Sequence, residues 1–168
     1  GVCIVRIVHS LFASTDDWDS QLEGTESGWP AFFRTLRIYL THFRGLSSAT
    51  KQWMAPAAGT EADAWETLTA ALDLSVGQRW TAPAGIPALS GVVEYLSQRP
   101  YDALLRIVKP GPGVAAFGAV NFGGQSLVAM TFYLYGDQAA RTVAQATPLW
   151  DAWIQEHFPM PTKPSRSE

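Results

Sequence analysis

The alternation of apolar and polar residues predicts a set of antiparallel strands in the second half of the chain. Residues 2–11 also alternate, with Cys3, Val5 and Ile7 on one face and Arg6 and Ser10 on the other. Further strands are predicted at residues 78–82, 91–97, 101–109, 114–122 and 125–135. Pro and Gly residues separate them, and Gly123-Gly124 is the strongest hairpin signal. Residues 51–54 predict only a weak edge strand inside a linker.

Helical spacing predicts α-helices on both sides of these strands. The first helix covers residues 29–43, with Pro30 in its first turn. Its predicted apolar stripe consists of Trp29, Phe32, Phe33, Leu36, Leu40 and Phe43. A capping-box pattern at Thr60 and Asp63 opens a second helix. Near the end of the chain, Thr147 as N-cap and Pro148 as first helical residue favour two helices over one kinked helix.

One order of elements occurs twice along the chain. A strand, an acidic turn and an aromatic-rich helix end at His42-Phe43, and the same order ends at His157-Phe158. This repetition predicts that residues 1–45 are the last strand and helix of a first copy, and that residues 46–159 are a complete second domain. Residues 160–168 are predicted to be a disordered tail. A strand beginning at residue 2, without an initiator Met, suggests that the chain starts inside a larger gene product.

The composition of the chain limits the kinds of partner that it is expected to bind. The 47% hydrophobic content is typical of a globular protein, and the net charge of −3 gives no electrostatic footprint for nucleic acid. The single cysteine, Cys3, fits a reducing compartment. No apolar stretch approaches the ~20 residues of a membrane span. These observations predict a cytoplasmic protein with neither a nucleic-acid nor a membrane partner.

The polar residues provide no recognisable catalytic or metal-binding motif. His9 lies on the apolar strand face, whereas His42 and His157 lie in the last turns of helices, where the macrodipole favours a cation. No His/Cys cluster has metal-ligand spacing, so neither a metal nor a cofactor is predicted. Four charged residues fall on predicted strands, where they form either charges inside a cavity or cross-strand surface ladders: Arg79, Glu94, Asp102 and Arg106.

Three short segments carry a resemblance to a known superfamily. Arg6-Ile7-Val8-His9-Ser10, Trp18-Asp19 and Gly28-Trp29-Pro30 resemble the carboxy-terminal end of a START-like, SRPBCC-superfamily domain. They are most similar to the branch named for the activator of the heat-shock protein 90 ATPase. Residues 50–158 resemble a diverged second copy in their order of elements. The resemblance implies an α+β helix-grip fold, in which a curved antiparallel sheet wraps around a long C-terminal helix and leaves a cavity.

Aromatic residues are the candidates for a ligand site in such a cavity. They either line an apolar pocket or simply fill the core: Trp53, Trp65, Trp80, Phe117, Phe122, Met130, Phe132, Trp150 and Trp153. The leading hypothesis is a non-catalytic module that binds a small hydrophobic ligand or a protein partner. One alternative is a cyclase- or hydrolase-type enzyme using Asp102, Arg106 and His9. Another is a structural pseudo-domain that stabilises its neighbour.

The strand predicted at residues 2–11 needs a partner, because its free backbone groups would otherwise form an aggregation-prone edge. It is predicted either to join the sheet of the second copy or to pair with another chain. The second possibility makes this segment a candidate surface for self-association.

Overall fold

The computed structural model describes residues 4, 6 and 8 and residues 19–159. The elements in chain order are α1 (Asp19–His42), β1 (Ser48–Pro56), α2 (Glu61–Leu72), β2 (Arg79–Thr81), β3 (Ser90–Gln98), β4 (Tyr101–Lys109), β5 (Gly113–Phe122), β6 (Gln125–Tyr135) and α3 (Ala139–His157). This is the α+β class that the sequence predicts.

The strands form one antiparallel, curved sheet of six strands in the order β1-β6-β5-β4-β3-β2. Gly123 and Gly124 both have positive φ values and form the two-residue turn between β5 and β6, which confirms the hairpin prediction. The predicted weak strand at residues 51–54 is too short, because β1 pairs with β6 over its full length from Ser48 to Pro56. Trp53 and Ala55 anchor it by facing the core.

Helices α2 and α3 pack on the concave face of the sheet. Thr60 and Asp63 form the predicted capping box at the start of α2, whose Trp65, Leu68 and Leu72 are buried. In α3, Trp150 and Trp153 are buried in the same hydrophobic cluster as the inward-facing residues of the strands. The sheet therefore wraps around α3, which confirms the helix-grip fold.

The prediction of two helices around Pro148 is wrong. Helix α3 runs uninterrupted from Ala139 to His157 with Pro148 inside it. Thr147 is not an N-cap, because its hydroxyl donates a hydrogen bond to the carbonyl of Val143 one turn earlier. Burial of Trp150 and Trp153 after the proline keeps the second half of the helix against the sheet, and this packing offsets the lost backbone hydrogen bond.

Helix α1 begins earlier than predicted and lies on the convex face of the sheet. It starts at Asp19, so Gly28 and Pro30 lie inside it rather than at its beginning. Phe32 and Leu40, two members of the predicted stripe, are about half exposed. The contact with the sheet uses Phe43, a member of the predicted stripe, together with Ile38 and Tyr39, which are not members. These side chains pack on Leu104, Val114 and Tyr135.

The predicted strand at residues 2–11 lies mostly outside the described residues. The described residues of this segment, Ile4, Arg6 and Val8, belong to no helix or strand and are exposed. Pairing of this segment with another chain, and the division of the chain at residue 45, stay predictions. The predicted tail at residues 160–168 also lies outside the described part.

Candidate functional site

The concave face carries a continuous aromatic cluster. Of the nine predicted site residues, all but Phe122 are buried in one hydrophobic cluster with α2 and α3. Phe122 lies beside the hairpin turn and is 67% exposed. The ring of Trp150 lies 5.2 Å from that of Phe132 and 5.4 Å from that of Trp153, measured between centroids. The fold thus gathers residues from distant strands and helices into a single candidate site.

Two indole groups of this cluster have hydrogen-bond partners that connect helices to strands. The Nε1 of Trp53 on β1 donates to Asp151 Oδ1 on α3 over 2.7 Å. The Nε1 of Trp80 on β2 donates to the carbonyl oxygens of Leu72 and Asp73, at 2.9 and 3.0 Å, at the end of α2. These bonds tie the two edge strands of the sheet to the concave-face helices.

Two other indole groups have no partner. The Nε1 atoms of Trp65 on α2 and Trp153 on α3 are buried and form no hydrogen bond with any described residue. Both side chains are almost completely buried, at 1% and 3% exposure. A buried donor without an acceptor typically costs about 1–3 kcal/mol, so native proteins rarely leave one unused. The cluster therefore contains two donors that a guest molecule could satisfy.

Among the described residues, the concave core contains no pair of titratable side chains that could act as general acid and general base. Ser126 is the single described polar residue that is fully buried, and its hydroxyl donates to the carbonyl of Gly59 over 2.9 Å. Among residues 28–159, no three His, Cys, Asp or Glu side chains cluster in a way that could hold a metal ion. Among its described residues, the concave face offers no acid–base pair within hydrogen-bond reach.

A groove of about 540 Å³ opens beside Tyr101. It lies between α2 and the β3–β4 hairpin and is lined by Ala62, Glu66, Thr69, Gln98, Arg99 and Tyr101. The half-buried ring of Tyr101 also contacts the aromatic cluster, with its centroid 6.4 Å from that of Trp65. Tyr101 thus lies between an open groove and a buried unpaired donor.

The residues of the enzyme hypothesis do not meet in this cluster. Asp102 lies on the convex face, where Arg34 of α1 donates to its Oδ2 over 3.2 Å and also lies over the ring of Tyr95. Burial raises the pKa of Asp102, and the nearby charge of Arg34 opposes part of this effect. Arg106, also on the convex face, donates to Glu94 over 2.7 Å. His9 lies outside the described residues.

The other two histidines lie at the C-terminal ends of helices. His42 occupies the last turn of α1, and His157 occupies the last turn of α3. The ring of His157 stacks on Trp153 with centroids 4.4 Å apart, and its Nδ1 lies 2.9 Å from the carbonyl oxygen of Trp153. His157 thus covers one side of an aromatic residue of the cluster.

Sequence reasoning missed two residues that shape the site. Asp151 follows Trp150 directly, and a carboxylate beside a buried tryptophan could have suggested a hydrogen-bond acceptor. Tyr101 shares a face of β4 with the buried Ala103, but its position beside a groove depends on how α2 packs on the sheet.

Comparisons with known proteins agree on the fold. The structure resembles that of a protein from Mesorhizobium loti, with a TM-score of 0.50 and 13% identity, over 65% of this chain and 93% of that chain. Matches with lower TM-scores include the Aha1 dimer from Colwellia psychrerythraea, at 0.44 and 13% identity over 67% of this chain and 98% of that one. An AHSA1-like protein from Rhizobium etli matches at 0.45 and 14% identity, over 73% and 91% of the two chains.

These comparisons bear on the fold alone. No family model matches the sequence, and no curated protein matches it significantly. At such low identities the likeness is one of fold alone. That fold is a helix-grip fold, as the sequence resemblance implied. None of the described helices combines the length and the hydropathy that a bilayer span requires.

Proposed function

We propose that the protein is a non-catalytic binding module whose concave aromatic cluster holds a small, mainly apolar molecule that carries an acceptor oxygen. The observation behind this proposal is the pair of buried, unpaired indole N–H groups of Trp65 and Trp153. Aromatic walls with a few polar groups are typical of small-molecule sites. A carbonyl or ether oxygen would accept from an indole that otherwise lacks a partner.

The groove beside Tyr101 supports a route of entry. Its volume of about 540 Å³ is within the usual range for small-molecule pockets. Rotation of the half-buried Tyr101 ring would connect this groove with Trp65, because that ring lines the groove and lies next to the indole of Trp65. In this proposal Tyr101 acts as a gate, and the aromatic cluster repacks around the ligand.

Binding is favoured over catalysis by the chemistry of the interior. A general acid or base must lie within hydrogen-bond reach of the proton that it transfers. Ser126 has no described base beside it, and its hydroxyl already donates to Gly59. The convex-face position of Asp102 and Arg106 takes these two residues out of the aromatic cluster.

The test compares two ligands of nearly the same shape. 2-Acetylnaphthalene carries a carbonyl oxygen, and 2-ethylnaphthalene does not. Titration of the full chain, refolded from denaturant to remove bound molecules, is followed by NMR of the indole N–H signals. We expect 2-acetylnaphthalene to shift the Nε1–H signals of Trp65 and Trp153 saturably. We also expect it to bind about ten-fold more tightly than its ethyl analogue, because it gains a hydrogen bond.

The indole signals of Trp53 and Trp80 are internal controls, because both groups already have acceptors. Equal affinity for the two naphthalenes, or an absence of saturable shifts at Trp65 and Trp153, would contradict the proposal. The variant Tyr101→Ala tests the route alone. It should speed association, and an unchanged rate would reject the gate without rejecting the binding site.

A further inference from the structure

A second groove, of about 390 Å³, lies at the opposite edge of the sheet from β1. Strands β2, β3 and β4 line it, with Arg79, Thr81, Ser90, Val92, Arg106 and Val108 among its residues. Trp80 also lines the groove and belongs to the aromatic cluster, but the other side chains named here lie on the opposite face of the sheet, because they alternate with the buried ones. Trp80, Val93 and Ile107 point into the concave core, so their strand neighbours face the convex side.

The strand register brings the polar groups of this groove together. Arg79 on β2 is paired with Val92 on β3, and Val92 is paired with Arg106 on β4. The two arginines therefore lie on either side of one valine. Thr81 is paired with Ser90, so two hydroxyl groups lie beside them. Val108, which is largely exposed, adds a second apolar side chain.

The groove has a surplus of positive charge. The Nε of Arg106 donates to Glu94 Oε1 over 2.7 Å, so this arginine has a carboxylate partner. The side chain of Arg79 is exposed and has no hydrogen bond or ion pair with any described residue. Guanidinium groups stay charged in proteins and bind carboxylates through two parallel hydrogen bonds. The unpaired charge of Arg79 thus favours an anionic guest.

The backbone of β3 is irregular on both sides of Val92, in the middle of the groove. Irregularities in the β3–β4 pairing occur at Ser90/Gly91 and at Val93/Tyr95, on both sides of Val92. At Gly91 the strands approach so closely that a Cβ atom would collide with the carbonyl oxygen of Arg106. Such bulges re-aim side chains and are frequent beside functional sites. The groove is therefore a shaped depression rather than a flat piece of sheet.

We propose that this convex-face groove binds a small organic carboxylate with a short apolar body. The carboxylate is bound by Arg79 and by the free donors of Arg106. Val92 and Val108 contact the apolar body, and the Thr81 hydroxyl is in position to add a hydrogen bond. This site takes an anion, whereas the concave cluster, which contains no described charged residue, takes a neutral acceptor.

Hexanoate and hexanamide provide the test, because they differ mainly in charge. Each is titrated into the isotopically labelled full chain, and the backbone amide signals are followed by NMR. We expect hexanoate to cause saturable shifts in β2, β3 and β4 around Val92. We expect hexanamide to bind at least about ten-fold more weakly, since it lacks the charge that the arginines recognise.

The variant Arg79→Gln should raise the Kd for hexanoate about ten-fold, because it removes the exposed charge without disturbing a described contact. Arg141→Gln is the matched control, since Arg141 is exposed on α3 outside the groove, and it should leave the Kd unchanged. Equal binding of hexanoate and hexanamide would overturn the proposal. So would an unchanged Kd in Arg79→Gln, shifts confined to other elements, or no saturable shift at all.

Discussion

Four buried tryptophans allow a matched test of the unpaired donors in the concave cluster. Trp65 and Trp153 have indole N–H groups without partners, whereas those of Trp53 and Trp80 are hydrogen-bonded. Replacement of each by Phe removes the N–H group and part of the ring. The loss of apolar contact is similar at the four positions, so the differences between the variants report on the hydrogen bonds.

The expected magnitudes follow from the contacts of each residue. Every Trp→Phe change leaves a small cavity, at a cost of about 1–2 kcal/mol. In Trp80→Phe the buried carbonyl of Leu72 also loses its indole donor, which adds about 1–3 kcal/mol. In Trp65→Phe an unsatisfied donor disappears, and its similar penalty is relieved. The free energy of unfolding should therefore fall by at least about 2 kcal/mol more in Trp80→Phe than in Trp65→Phe.

Urea denaturation followed by far-UV circular dichroism measures these free energies on protein refolded without ligand. Trp53→Phe should behave like Trp80→Phe, because its partner Asp151 is a carboxylate. Trp153→Phe should behave like Trp65→Phe. The reasoning would be refuted if Trp65→Phe and Trp80→Phe lost the same stability. Equal losses would mean that the Trp65 donor has a partner in solution, and the proposed ligand site would lose its main support.

Two further predictions concern the convex face and the backbone. Burial raises the pKa of Asp102, so the folded state binds this proton more tightly than the unfolded state, and stability should fall as pH rises from about 4 through the raised pKa. Asp102→Asn should flatten this dependence in urea titrations at several pH values, and a steeper dependence would contradict the assignment. Gly91→Ala should lower the melting temperature, because the added Cβ atom would collide with the backbone of Arg106. This collision should reduce the free energy of unfolding by about 1–3 kcal/mol. Gly28 lies in α1 with open space around it, so Gly28→Ala should stabilise the protein by about 0.5–1 kcal/mol. Equal changes in melting temperature for the two variants would refute the argument.

Local patterns in the sequence were sufficient for most of the sheet. Strand β4 occupies the predicted residues 101–109, and β6 the predicted residues 125–135. Alternation of side chains and the Gly123-Gly124 turn act over a few residues, so they can be recognised along the chain. Strand β1 was underestimated because its partner β6 is far away in sequence, with Ser48 opposite Tyr135.

The helices show where local rules are overridden. A proline favours the first turn of a helix, yet Pro30 and Pro148 both lie inside long helices. Burial of Trp150 against the sheet is a tertiary contribution that exceeds the local cost of the proline. The face of α1 that meets the sheet was also decided by tertiary contacts, because Tyr39, which is outside the predicted stripe, packs on Tyr135 with ring centroids 5.2 Å apart.

The sequence alone determined that the site would be aromatic, since the spacing of Trp150 and Trp153 on one side of α3 requires burial. It did not determine which indole groups have partners. Trp53 reaches Asp151 across a separation of 98 residues, while Trp153, two residues after Asp151, has no acceptor among the described residues. Hydrogen bonds depend on distances of a few tenths of an ångström and on angle, and only the packing of distant segments in three dimensions sets both.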